Sequence, residues 1–182
     1  MTAASWPAND RAGFPVAASK STTSPAMRLL ISTAGTLTKA LGTPPKESAP
    51  TVRLHASGTR LDLVGDKVTA EALDRWLQEA KRGEVMLLDQ HGAAFPCGHS
   101  FDGEIVETPE SRELFIDFWL DTSHPMTATI LSQIDKGYEA QCSVGITTPQ
   151  GVPVRELSFD QSEGRAVGFI KDPRARLEHV AF

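Results

Sequence analysis

The segment RELFIDFWLD at residues 112 to 121 constrains the fold more than any other part of the chain. Leu114, Ile116, Phe118 and Leu120 fall on one side of it, and Phe115, Asp117, Trp119 and Asp121 on the other. This period of two suits a pleated strand and does not suit a helix. Aromatic residues on both faces predict a strand with neighbours on both edges, so the chain must supply further strands to pair with it. YEAQCSVGIT (138 to 147) has the same period, with Tyr138, Ala140, Cys142, Val144 and Ile146 facing one way and Glu139, Gln141, Ser143 and Gly145 the other. EVMLLDQ (84 to 90) reads as a buried strand that delivers His91 at its end. More strands are expected near 152 to 159, 165 to 171 and 176 to 182, joined by Pro-Gln-Gly and Gln-Ser-Glu-Gly turns. TVRLHASGTRLDLVGD (51 to 66) predicts a hairpin or two short strands around Ser57-Gly58.

Two helices interrupt the strands. Thr69 can cap a helix over 70 to 82, where Ala72, Leu73, Trp76, Leu77 and Ala80 recur at helical spacing and Gly83 supplies the stop. Ser123 can cap a second helix that directs Met126, Ile130, Leu131 and Ile134 inward and ends at Gly137. The expected fold class is α+β, a mostly antiparallel β-barrel or strongly curved sheet flanked by helices. At 182 residues the chain suits one core. Residues 52 to 182 are expected to form the domain. Residues 1 to 51, rich in Ala, Ser, Thr and Pro, are expected to be a flexible arm that buries too little to offset chain entropy. Within that arm, RLLISTAGTLTKALG after Met27 is expected to form a short helix or strand rather than a targeting segment, and Met27 is an alternative start.

Charge and cysteine content narrow the function classes. A net charge of −5 argues against binding by phosphate neutralisation, so no nucleic-acid partner is expected. Cys97 and Cys142 have neither CxxC nor zinc-finger spacing and are expected to be buried thiols. No apolar run approaches the roughly 20 residues a membrane-spanning helix needs, so no membrane partner is expected and the protein should be soluble.

Three short stretches carry chemistry: HGAAFPCG (91 to 98), CSVGI (142 to 146) and LEHVAF (177 to 182). A serine hydroxyl needs an imidazole to take its proton and a third polar group to fix that imidazole's tautomer. His91, Ser143 and then His179 or Glu178 fit that scheme. Strand parity allows only one of the last two to meet His91. Asp89 and Asp102, which flank His91, are alternative orienting groups, and His99 could line the cleft without being a metal ligand. His55 and His124 read as surface or turn residues. Gly145, on the face of Ser143, would leave room for a substrate backbone. Taken singly, each has an ordinary structural reading: His91 as a turn-capping histidine, Ser143 as a small residue on a solvated strand face.

Taken in order, DLVGDKVTAEALDRWL, a strand ending in HG, GEIVE, a helix ending at a KG pair, SVGI and LEHVAF resemble the prohead proteases of tailed phages. The likeness is to the XkdF-like branch and, distantly, to the herpesvirus assemblins, and it covers roughly 60 to 182. It implies a barrel flanked by helices, with His91 as general base and Ser143 as nucleophile. The third member would lie in LEHVAF: Glu178 by likeness to phage relatives, His179 by likeness to assemblins. The implied function is serine endoproteolysis by acyl transfer inside a procapsid in the host bacterial cytoplasm, without a cofactor. Its partners would be the scaffold and major capsid proteins, with homo-oligomerisation left open. The substrate would be an extended peptide pairing with an exposed strand edge near Ser143. A catalytically inactive virion or assembly protein with the same fold is the alternative, and a host peptide-binding module a third reading.

Overall fold

A computed structural model describes residues 27–36, 49–91, 95–137 and 139–182, with the side chains of 27–36 and 139–141 outside that description. Its elements in chain order are β1 (Met27–Thr36), β2 (Thr51–Gly58), β3 (Asp66–Val68), α1 (Ala70–Lys81), β4 (Met86–Leu88), β5 (Gly98–Glu107), β6 (Arg112–Leu120), α2 (Met126–Asp135), β7 (Glu139–Thr148), β8 (Glu156–Asp160), β9 (Arg165–Ile170) and β10 (Arg176–Ala181).

β6 lies between β5 and β2 in a seven-stranded sheet of order β1-β7-β10-β4-β5-β6-β2. Every neighbour pair is antiparallel except β10 with β4. Leu114, Ile116, Phe118 and Leu120 are all buried, as the alternation requires. Bulges between His55 and Ser57, Ser100 and Asp102, and Leu177 and His179 add local bend and twist. The two edge strands, β1 and β2, come into contact, so the sheet curls round its own core. A small second sheet has the order β3-β9-β8. The described residues are therefore α+β, with a curled sheet and two helices.

Cys142, Val144 and Ile146 of β7, Leu177 and Val180 of β10, and Leu87 of β4 enter the core with the inward face of β6. α1 adds Ala72, Leu73, Trp76 and Ala80, and its Trp76 Nε1 donates to the carbonyl of Ala175 at 3.1 Å, just before β10. Thr69 caps α1 by accepting from the N–H of Ala72 at 3.4 Å, and Gly83 takes φ +75° at the end. Several polar groups are buried with the apolar ones. Asp117 of β6, wholly buried, takes two hydrogen bonds from Arg53 across the strand pair, at 2.6 and 2.8 Å, and Arg53 also meets Glu104.

Two open alternatives are decided and two expectations are corrected. Of the two readings of residues 51 to 66, separate strands stand and the hairpin does not: β2 pairs with β6, while β3 joins β9 in the other sheet. Ser57-Gly58 ends a strand that finds its partner about sixty residues on, so tertiary pairing overrides the turn signal. Within the expected arm, Met27–Thr36 is a strand aligned along the whole of β7, whose backbone offers partners that composition does not reveal. Residues 1 to 26 and 37 to 48 lie outside the described residues, as do Tyr138 and residues 92 to 94. α2 has Pro125, not Ser123, at its N-cap, because Ser123 bonds to the Asp121 carboxylate instead. His55 is a strand residue held by Glu113 at 2.7 Å with its ring tilted against Phe115, not a turn residue.

Candidate active site

The outward face of β7 carries Ser143, Gly145 and Thr147, the alternate positions to the buried Cys142, Val144 and Ile146. On β10, Ala181 lies opposite Ser143 and His179 opposite Gly145. Opposed residues of an antiparallel pair share a face, so His179 stands on the face of Ser143. β4 lies on the other side of β10, with Met86 beside His179 and Leu88 beside Ala181. The chain then leaves the sheet and returns His91 over it.

The His91 and His179 rings meet there. His91 Nδ1 is 2.7 Å from His179 Nε2, with ring centroids 5.0 Å apart. His91 Nε2 is buried and has no hydrogen-bond partner among the described residues. Burial pushes the His91 imidazole below its ordinary value of 6.5, which favours the neutral ring needed to accept a proton. Neither Asp89 nor Asp102 fills the alternative orienting role. The Asp102 carboxylate accepts from the N–H of Gly103 at 2.8 Å, and Asp89 Oδ1 is buried without a partner among the described residues.

Strand parity fails at β10. Leu177 opposes Ile146 and His179 opposes Gly145, which leaves Glu178 as the extra residue of a bulge. The bulge carries the Glu178 side chain to the face of His179, and its Oε2 lies 3.8 Å from His179 Nδ1. The two residues read as alternatives are thus consecutive in space. α1 fixes the approach to the bulge. Glu79 Oε2 accepts from the N–H of Leu177 at 3.0 Å and Oε1 from Arg176 at 3.1 Å. The sequence held one signal for this: Glu79 interrupts the apolar stripe of α1, three residues after Trp76.

Gly145 corrects a second expectation. A Cβ built on it would stand 2.7 Å from His179 Nδ1 and closer still to Nε2 and Cε1. The space it leaves is therefore filled by the imidazole, not by a substrate backbone. Nor does β7 present a free edge near Ser143, since β1 pairs along one side and β10 along the other. Behind the histidines, a cleft of about 390 Å³ opens between Glu84, Met86, His99, Thr147, Arg176 and Glu178. His99 stacks on Trp119 at its rim. His124 accepts from the N–H of Met126 at 3.3 Å and belongs to the turn before α2.

The two thiols are buried in the core, Cys142 on the face of β7 opposite to Ser143. Burial raises Cys97 to about 11 and Cys142 to about 12. No cluster of three or more His, Cys, Asp or Glu able to hold a metal occurs among the described residues, and none of their helices is long and apolar enough to cross a membrane. No protein-family model matches the chain, and no curated protein or solved structure is significantly similar to it.

Proposed function

We propose that this chain is a serine endopeptidase of the phage prohead type, with Ser143 as nucleophile, His91 as general base and His179 as the group that orients it. The observation that carries the reading is the His91 Nδ1 to His179 Nε2 bond at 2.7 Å, with the opposite nitrogen of His91 buried and not engaged by any described residue. An imidazole held at Nδ1 keeps its Nε2 lone pair for a hydroxyl proton. His91 takes the proton of Ser143 as Oγ attacks a peptide carbonyl and then returns it to the leaving amine. Water, activated by the same nitrogen, releases the acyl group. The substrates are the scaffold and major capsid proteins, cleaved within the procapsid, and no cofactor takes part.

A second reading, a non-enzymatic virion or assembly protein, is favoured by the two occupied edges of β7, which leave an extended peptide no backbone to pair with beside Ser143. Co-expression of the chain with the scaffold and major capsid proteins of its own genome separates the two. Intact masses should show discrete cleavage products with the wild type and none with Ser143→Ala. Uncleaved substrates in both, with the chain retained in the particle, would transfer the assignment to the structural reading.

A further inference from the structure

We infer that Glu178 is a positioning residue that acts through His179, so that the carboxylate and the two imidazoles work in series on Ser143 rather than as alternatives; this rests on the peptidase reading above. The series has a single consistent polarity. For His91 Nε2 to accept the Ser143 proton, His91 must carry its own proton on Nδ1 and donate it to His179 Nε2, 2.7 Å away. His179 Nε2 is then an acceptor, so its proton sits on Nδ1. That is the atom Glu178 faces at 3.8 Å. The separation is an ion-pair distance and too long for a hydrogen bond, so Glu178 acts by charge and takes no proton. When the Ser143 proton arrives on His91 Nε2, the positive charge is shared over the two rings, and the carboxylate stabilises it.

Three features of the fold serve this arrangement. The bulge places Glu178 and His179 on one face where a regular strand would separate them. Glu79 pins the N–H of Leu177 at the start of that bulge. The absence of a side chain at Gly145 lets the His179 ring lie against β7. The charged and titratable groups about His179 are His91 from the segment after β4, Glu178 on its own strand, and Glu84, Arg176 and His99 across the cleft. From the described side chains of β7, Gly145 lies against the ring and Thr147 lines the cleft, and neither titrates. Glu84 is engaged by Arg82 at 2.8 Å and by Arg176 at 2.6 Å, and Arg176 is also bonded to Glu79. Glu178 is thus the carboxylate in the cleft that is directed at the imidazole.

The test uses the full chain, with the imidazole nitrogens followed by long-range proton–nitrogen correlation as pH is varied, and labelling by a serine-directed phosphonate measured in parallel. Glu178→Gln should lower the proton affinity of the coupled His91–His179 pair about tenfold, the effect of losing one nearby opposite charge, whereas Glu178→Asp should restore most of it. Glu84→Gln, in the same cleft, should change it less than about twofold, because two arginines already engage that carboxylate. An unchanged titration in Glu178→Gln, or an equal shift in Glu84→Gln, would overturn the inference. The wild-type spectrum is decisive without any substitution: His179 protonated on Nδ1 is required, and protonation on Nε2 refutes it. Phosphonate labelling reports separately on the peptidase reading. Its absence from the wild type, with the Glu178 shift intact, would remove that reading and leave the carboxylate's hold on His179 standing.

Discussion

Gly145→Ala offers the sharpest probe of how β7 and β10 assemble the site. The new methyl group would lie 2.7 Å or less from three atoms of the His179 ring, where carbon contacts normally settle at about 3.5 to 4.0 Å. His179 is only 4 % exposed, so the ring has little room to retreat. It must move by roughly 1 Å or more, which ends its bond to His91. Overpacking of this kind costs about 1 to 3 kcal/mol, and the lost hydrogen bond about another 1. The sum, about 2 to 4 kcal/mol, corresponds to a fall in Tm of roughly 5 to 15 °C for a chain of this size.

The cause can be isolated by a double-mutant cycle. In a His179→Ala background the ring is gone, and Gly145→Ala should be neutral or stabilising by about 0.5 to 1 kcal/mol, since alanine loses less backbone entropy than glycine in a strand. Urea unfolding of the four proteins should therefore give a coupling of about 2 to 5 kcal/mol between positions 145 and 179. Additivity within about 0.5 kcal/mol would refute the claim that the glycine exists to seat the imidazole.

Further expectations concern the rest of the molecule. Asp117→Ala should cost about 3 to 5 kcal/mol in urea unfolding, because it strips the buried Arg53 of its bidentate partner, whereas Arg53→Met with Asp117→Leu should recover most of that loss. Cys97 and Cys142, held at about 11 and about 12 by burial, should resist thiol reagents at pH 8 in the folded protein and react on unfolding; native reactivity of either would contradict the packing. The Arg174 side chain and N–H hold the Asp172 carboxyl at about 2, below its ordinary 3.8. A depressed folded value stabilises the protein above the unfolded value and is lost as pH falls through the folded one. The difference in urea midpoint between wild type and Asp172→Asn should accordingly be full above about pH 5, fall steeply towards pH 2 and vanish near pH 1, and a difference undiminished at pH 2 would assign another role to Asp172.

Local rules read well where local physics decides. The period of two in β6, the Thr69 cap of α1 and the alternation from Cys142 to Ile146 all appear as written, because each depends on residues only a few positions apart. The errors share a cause of the opposite kind. β1 lies in a stretch whose composition is poor in large apolar residues, and it forms along a ten-residue register with β7, more than a hundred positions away. Ser57-Gly58 looks like a hairpin turn until β6 takes the edge of β2. Ser123 would cap α2 had Asp121 not engaged it first.

The bulge at Glu178 is the most consequential of these non-local effects. A bulge leaves no unique mark in a six-residue stretch such as LEHVAF, since it is set by the register that the neighbouring strand imposes. Leu177 must face the core opposite Ile146, and His179 must face outward opposite Gly145. Both residues occupy odd positions, so a regular strand would put them on the same face. One extra residue is the only way to satisfy both, and that residue is Glu178. The inward demand of Leu177 and the outward demand of His179 therefore bring a carboxylate beside an imidazole, although neither demand involves the carboxylate. A shortened variant tests this directly. Deletion of Glu178 makes Leu177 and His179 consecutive, so regular pairing should keep Leu177 in the core and His179 against His91 while removing the carboxylate, with stability within about 1 kcal/mol of the wild type. Exposure of Leu177, or loss of the His91–His179 bond, in the deletion variant would show that the register with β7 does not set these two placements and would remove the physical basis for reading Glu178 as the extra residue.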